Sequence, residues 1–209
     1  MSRPYMPWQG PPARVWSARR NPSQAPMPDA DSLDLDLLAR FAQEAGMAPP
    51  SVALLAVSDL PEAARGILVQ DGGMTQALVS FWGEAMRLSV LDSTESGGTL
   101  RRAVVLSAAE SGMPAELGLI EIELERLPSP VRDAVRAGLR PFGTVLAEAT
   151  LPFRSRPEAF LAVTANRVLA DILDVSPGEE LYGRATLLRL ADGTAIARAV
   201  EILSGHGPG

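Results

Sequence analysis

An α+β domain built on an antiparallel sheet is the fold class this sequence predicts, and two features carry that reading. Helix-like periodicity fills the first part of the chain, whereas beyond residue 86 the apolar spacing shifts toward two, the period of a strand. The strand-like stretches then follow one another closely, and the last two flank Asp192-Gly193, a residue pair that favours a tight hairpin. Helices first and adjacent strands afterwards fit an antiparallel sheet with helices packed on it. At 209 residues there is room for one domain with a substantial core.

Residues 1–31 are rich in proline and polar residues, with scattered Tyr5, Trp8 and Trp16. Such a composition buries too little apolar surface to offset the entropy of ordering, so a disordered arm is expected there. Trp8, Arg14, Trp16, Arg19 and Arg20 are the residues of that arm from which a short docking motif would be made. The folded domain is expected over 32–204, with a flexible tail at 205–209. Ser32 is placed to cap a helix carrying Leu35, Leu38, Phe41 and Ala45, and Gly46 stops it. Pro49 and Pro50 break the chain before SVALLAV. A second helix follows Pro61 and ends at Asp71, Gly72 and Gly73. A third opens at Thr75, sets Leu78, Val79 and Trp82 on one side, and stops near Gly83.

RLSVLDS and LRRAVVLSA read as strands separated by the turn around Gly97. In LGLIEIELERL, Leu119, Glu121, Glu123 and Glu125 face one way and Ile120, Ile122 and Leu124 the other, which predicts one buried and one solvated face. The glutamates read as that solvated face, with no turn or glycine to shape a metal site. Residues 130–137 suit a short helix. In GLRPFGTVLAEATLPFR (138–154), Gly138, Pro141 and Gly143 punctuate the chain, and Phe142 between the last two presents its backbone as much as its ring. Ala159 to Thr164 forms a further strand, and YGRATLLRL and TAIARAVEIL complete the sheet.

Composition removes several chemistries. Cysteine is absent, and His206 is the single histidine, so disulfide scaffolds, thiolate metal sites, histidine clusters and Ser-His-Asp triads are excluded. Every basic residue is arginine, which excludes Schiff-base chemistry and a P-loop lysine. A formal net charge of -6 argues against nucleic acid as the default partner. No apolar run reaches the ~20 residues a membrane span needs, and the first residues lack a signal-type hydrophobic stretch, so a cytoplasmic location is expected.

Taken in order, LVQDGGMTQAL, RAVVL from Arg102, LRPFG, YGRATLLRL and the final VEIL around Glu201 resemble stretches of the chorismate lyase (4-hydroxybenzoate synthase) family, over roughly residues 33–204. Phe142 stands where that family has leucine in a Pro-Leu-Gly element, and Arg154 follows Pro141 at the separation of a family arginine. The resemblance implies a single α+β domain with an enclosed ligand cavity. It also implies cofactor-independent conversion of chorismate to 4-hydroxybenzoate and pyruvate, feeding ubiquinone or other aromatic biosynthesis. A small anionic acid is then the partner, and a monomer is expected.

Residue by residue, the resemblance sets Arg102 on the ligand carboxylate and Glu201 at the opposite end of the cavity, near the ring hydroxyl. Met74 and Phe142 contact the ligand through their backbones, and Arg154 lies near the cavity. Arg102 and Glu201 are the implied catalytic pair. An arginine fork takes a carboxylate through two hydrogen bonds, and a glutamate desolvated in an apolar cavity exchanges a proton near neutral pH. One departure stands out. Aligned without gaps back from Pro141, the family's second pocket arginine falls on Leu119, and a nearby family proline falls on Glu123. Chorismate is a dianion, so losing that cation counts against turnover unless Arg154 or Arg184 replaces it. The alternative is a non-catalytic aromatic-acid-binding protein, or a diverged enzyme, on the same fold. Related domains serve as effector sensors attached to DNA-binding helices, whereas the proline-rich arm has no helix-turn-helix pattern.

Overall fold

In the computed structural model, residues 36–44, 46 and 48–208 are described. Their strands are β1 (Val52–Leu55), β2 (Met86–Ser96), β3 (Thr99–Ala108), β4 (Pro114–Glu123), β5 (Phe153–Thr164), β6 (Glu180–Leu190) and β7 (Ala195–Leu203). All pair antiparallel in one sheet of order β1-β5-β6-β7-β4-β3-β2. The helices are α1 (Asp36–Glu44), α2 (Glu62–Leu68), α3 (Met74–Trp82), α4 (Ser129–Ala137), α5 (Phe142–Glu148) and α6 (Arg167–Leu173). This is the single α+β domain the sequence predicts. The Asp192-Gly193 hairpin joins β6 to β7, with Gly193 at φ 90. The expected arm, and Ser32, Leu35 and Ala45 of the expected first helix, lie outside the described residues; the rest of that helix is α1.

The sheet is covered on both faces, which corrects the expectation of one solvated face. Leu37, Leu38 and Phe41 of α1 and Leu169 and Leu173 of α6 pack on Leu117, Leu119, Val200 and Ile202. Against the other face lie Leu68, Met74, Leu78 and Trp82 of α2 and α3. Val131, Val135, Phe142 and Leu146 of α4 and α5 continue that layer. Each such side chain contributes about 1.5–3 kcal/mol when fully buried.

Glu121 therefore lies in the interior, only 3% exposed. Arg101 at 2.9 Å, Arg198 at 2.8 Å and Arg40 at 3.6 Å surround its carboxylate. Guanidinium groups replace the water a solvated face would have supplied. Of the other glutamates in that alternation, Glu123 is half-buried at the end of β4, and Glu125 is exposed in the turn beyond it.

Two helices were missed. α5 begins where only a turn was read, and α6 is capped by Asn166, whose Oδ1 accepts from the Leu169 N–H at 3.0 Å.

Gly183 is required by proximity, because β6 and β7 approach closely there. A Cβ at this position would lie 2.5 Å from the carbonyl oxygen of Glu201. Gly183→Ala is expected to cost about 1–3 kcal/mol, the usual penalty of overpacking. A lowered urea midpoint with an unchanged m-value is the signature to look for.

Candidate functional site

Strand alternation sends Arg102 and Val104 of β3, Glu116, Gly118 and Ile120 of β4, and Ala199 and Glu201 of β7 to the same side of the sheet. A cavity of about 80 Å³ lies between them and Met74 and the 141–143 segment, where α3 and α5 begin. Leu88, Phe153 and Leu188 add apolar wall, and Ser155 a hydroxyl.

The register fixes where the charges sit. One row across the sheet reads Val104, Gly118, Glu201, Arg184, and the next reads Arg102, Ile120, Ala199, Thr186. Glu116 is on the far side of the first row, paired with Leu106 and Leu203. Strand spacing and rise place the Cα atoms of Arg102 and Glu201 roughly 12 Å apart, and those of Arg102 and Glu116 roughly 14 Å.

Arg102 is 6% exposed. Its Nη2 donates to the Val135 carbonyl at 2.5 Å, in the last turn of α4, where the helix dipole favours a cation. Gly138, at φ 67, ends α4 beside the guanidinium, 3.7 Å from Nη2 to an ideal Cβ. The buried Nε has no partner, and among the described residues Arg102 pairs with no carboxylate. Burial lowers its pKa from the usual guanidinium value, and a guanidinium stays charged through such a shift.

Glu201 lines the cavity as an ion-paired carboxylate. Arg184, with no exposed surface, donates from Nε to its Oε2 at 2.6 Å, and the Thr186 hydroxyl donates to the same oxygen at 3.1 Å. Arg184 also donates from Nη1 to the carbonyls of Leu68 and Gln70, both at 3.0 Å, and from Nη2 to that of Gly72 at 3.2 Å. The desolvated carboxyl is instead Glu116, 3% exposed, with Oε2 buried and unpartnered. Burial pushes its pKa well above the ordinary 4.5, the nearby Glu201 charge adds to this, and Arg184 opposes it. Glu116 escaped the sequence reading, although it stands two residues before Gly118 on the same strand face. Extending that alternation backward was the available signal.

Met74 and Phe142 are the first residues of α3 and α5. Their side chains are buried, and their N–H groups belong to helix first turns, which have no intrahelical acceptors. The Phe153 ring lies between the two helix starts, 3.7 Å from an ideal Cβ on Gly73 and 3.6 Å from one on Gly143.

Arg154 does not join the site. It is exposed, because alternation along β5 turns Phe153 and Ser155 to the cavity instead. Leu119 packs on the opposite face, with α1 and α6, so a gap-free register that sets a pocket arginine there is not a cavity register. The positions that do face the cavity beside it, Gly118 and Ile120, carry no charge. Arg140 lines the cavity and is paired with Glu148.

No protein-family model matches the chain, and no curated protein sequence matches it either. Among solved structures, PhnF from Mycobacterium smegmatis aligns over 68% of this chain and 67% of its own at 13% identity, with TM-score 0.53. The separately solved effector domain of PhnF aligns over 66% of this chain and 91% of its own at 12% identity, with TM-score 0.52. The ligand-binding domain of a protein assigned to the GntR family of transcriptional regulators, from Bordetella bronchiseptica, aligns over 58% and 87% at 14% identity. Its TM-score of 0.47 is too low to bear on the fold. The PhnF likenesses support the chorismate lyase-like α+β fold expected from the sequence.

Two variants test the polar framework. Arg184→Met strands the Glu201 carboxylate and the carbonyls at 68, 70 and 72, and is expected to cost about 3–5 kcal/mol in chemical denaturation. Glu116 holds its proton in the folded protein at pH values where the unfolded chain has released it. Stability therefore falls as pH rises above about 4.5, until the folded-state pKa is passed. In Glu116→Gln that decline is expected to disappear, as a series of melting curves from pH 4 to 9 would register.

Proposed function

We propose that this chain binds a compact aromatic acid in the cavity, its carboxylate held by Arg102, without converting it. The observation that carries this reading is a buried guanidinium with an unpartnered Nε and no carboxylate partner among the described residues. Keeping such a cation out of water is costly unless an anion meets it, and a ligand carboxylate fits the arginine fork. Met74 and Phe142 also line the cavity, where the family resemblance sets backbone contacts to the ligand. Apolar walls from Val104, Ile120 and Phe153 suit a ring. In PhnF the corresponding fold is an effector domain, which is in keeping with binding.

Charge arithmetic weighs against the dianion chorismate. Arg184 is committed to Glu201, and Arg154 is exposed. A second ligand carboxylate would meet Glu116 and Glu201 at the far end of the cavity and find no free cation there among the described residues. The lyase reading keeps one supporting observation, that Arg102 and Glu201 line the same cavity.

Both readings are settled by incubating purified protein with chorismate and following 4-hydroxybenzoate and pyruvate by chromatography. Thermal melts with 4-hydroxybenzoate are run in parallel. The binding reading expects no product. It also expects a ligand-dependent rise in Tm, corresponding to about 2.7 kcal/mol at a hundredfold excess over Kd. Arg102→Ala should lose that rise, with its ligand-free melt as the reference because Arg102 also caps α4. Product formed by wild type and lost in Arg102→Ala would establish the lyase instead. Absence of both product and stabilisation by this and other monocarboxylic ring acids would reject the cavity as an acid site.

A further inference from the structure

The ends of the cavity are opposite in character. Arg102 stands at one end without a carboxylate partner among the described residues. At the other, Glu116 and Glu201 share the single guanidinium of Arg184, whose donors are already directed to Glu201 and to the carbonyls of Leu68, Gln70 and Gly72. The group this second end lacks is a cation. Gly118 keeps the way to Glu116 clear: a Cβ there would lie 3.2 Å from Glu116 Oε1 and 3.1 Å from Val104 Cγ2.

Building on the acid-binding reading above, we propose that the ligand is zwitterionic. It is a ring acid whose carboxylate lies at Arg102 and whose ammonium group is taken by the open carboxyl of Glu116. Glu116 is then the specificity-determining residue. An ammonium brings donors to the unpartnered Oε2, and its charge offsets the crowding of two carboxylates around one guanidinium. With all four groups ionised, Arg102 and Arg184 balance Glu116 and Glu201, and a zwitterion matches the two that lack a partner. A dicarboxylate adds negative charge where two carboxyls already lie, and a plain monocarboxylate leaves Glu116 Oε2 without a donor.

Protons balance as follows. Glu116 enters as the carboxylic acid, gives its proton to solvent, and pairs as a carboxylate with an ammonium that keeps all its protons. Binding thus releases up to one proton per ligand, and apparent affinity rises with pH until Glu116 is ionised in the empty protein. The charged groups facing it are Glu201 from β7 and Arg184 from β6. Arg102 from β3 and Arg140 before α5 line the same cavity farther off, while α3 contributes Met74 and Thr75, which do not titrate, and β2 contributes Leu88.

Isothermal titration of the full chain with 4-(aminomethyl)benzoate, 4-methylbenzoate and 4-hydroxybenzoate tests this, in two buffers of different ionisation enthalpy. The aminomethyl acid is expected to bind at least tenfold more tightly than the methyl acid and to release protons. In Glu116→Gln both the preference and the proton release should vanish, the aminomethyl acid binding no more tightly than the methyl acid. Arg102-dependent binding of the uncharged acids without any preference for the amine would overturn the zwitterion inference and leave the acid-binding reading standing. A preference that survives in Glu116→Gln would overturn the role of Glu116. No binding by any of the three acids would overturn both readings together.

Discussion

Arg184 is the interaction on which the rest of the site depends. It is a fully buried cation in the middle of a strand, and such a charge persists only where its partners are complete. Glu201 from the neighbouring strand supplies the counter-charge, and the carbonyls of Leu68, Gln70 and Gly72 take the remaining donors. Those carbonyls belong to the end of α2 and the segment leading into α3, where helix geometry leaves acceptors unsatisfied. One side chain therefore settles the C-terminal end of α2, fixes where α3 begins, and holds Glu201 in place. The start of α3 lines the cavity, and the loop before it is tied to the sheet.

The same chemistry is arranged in opposite proportion on the two faces of the sheet. Beneath α1, one buried carboxylate, Glu121, is surrounded by Arg40, Arg101 and Arg198. On the cavity face two carboxyls, Glu116 and Glu201, share Arg184. The first arrangement closes on itself, since each Glu121 oxygen has a guanidinium within reach. The second leaves Glu116 Oε2 open, and Arg102 Nε is open at the other end of the same cavity. The two clusters differ in what is left over, and the atoms left over on the cavity face are those the proposed ligand would meet.

Much of this was legible from residue order. Strand alternation and the Asp192-Gly193 hairpin predicted an antiparallel sheet, and the family resemblance, not alternation, singled out Arg102 and Glu201, both of which line the cavity. The departures share one cause: periodicity says which residues share a face, but not what covers that face. Glu121 was read as solvated because α6 was not recognised, and with α1 it buries the side on which Glu121 lies. A gap-free alignment sets a family pocket arginine on Leu119 because such a count ignores which way β4 turns each residue. Arg154 failed for the same reason, one residue out of phase with Phe153 and Ser155. Glu116 was overlooked because a glutamate near a strand start reads as surface until the helices above it are known.

Arg102 joins the ligand end of the cavity to the frame around it. Its Nη2 is spent on the Val135 carbonyl at the end of α4, and Gly138 allows the chain to turn away beside the guanidinium without a side chain in the way. In the proposed complex, ligand carboxylate and helix terminus share one cation. An anion arriving at the free Nε need not displace the bond to α4, because the guanidinium carries donors on more than one edge. The helix terminus also supplies the partial negative charge that makes a buried arginine tolerable before any ligand arrives. This answers why the cation can stand ready without a carboxylate beside it. A lysine offers a point charge in place of a planar fork and could not serve both partners in the same geometry. In a chain whose lysine count is zero, the cavity carries the side chain that can hold a helix end while leaving donors for the proposed ligand.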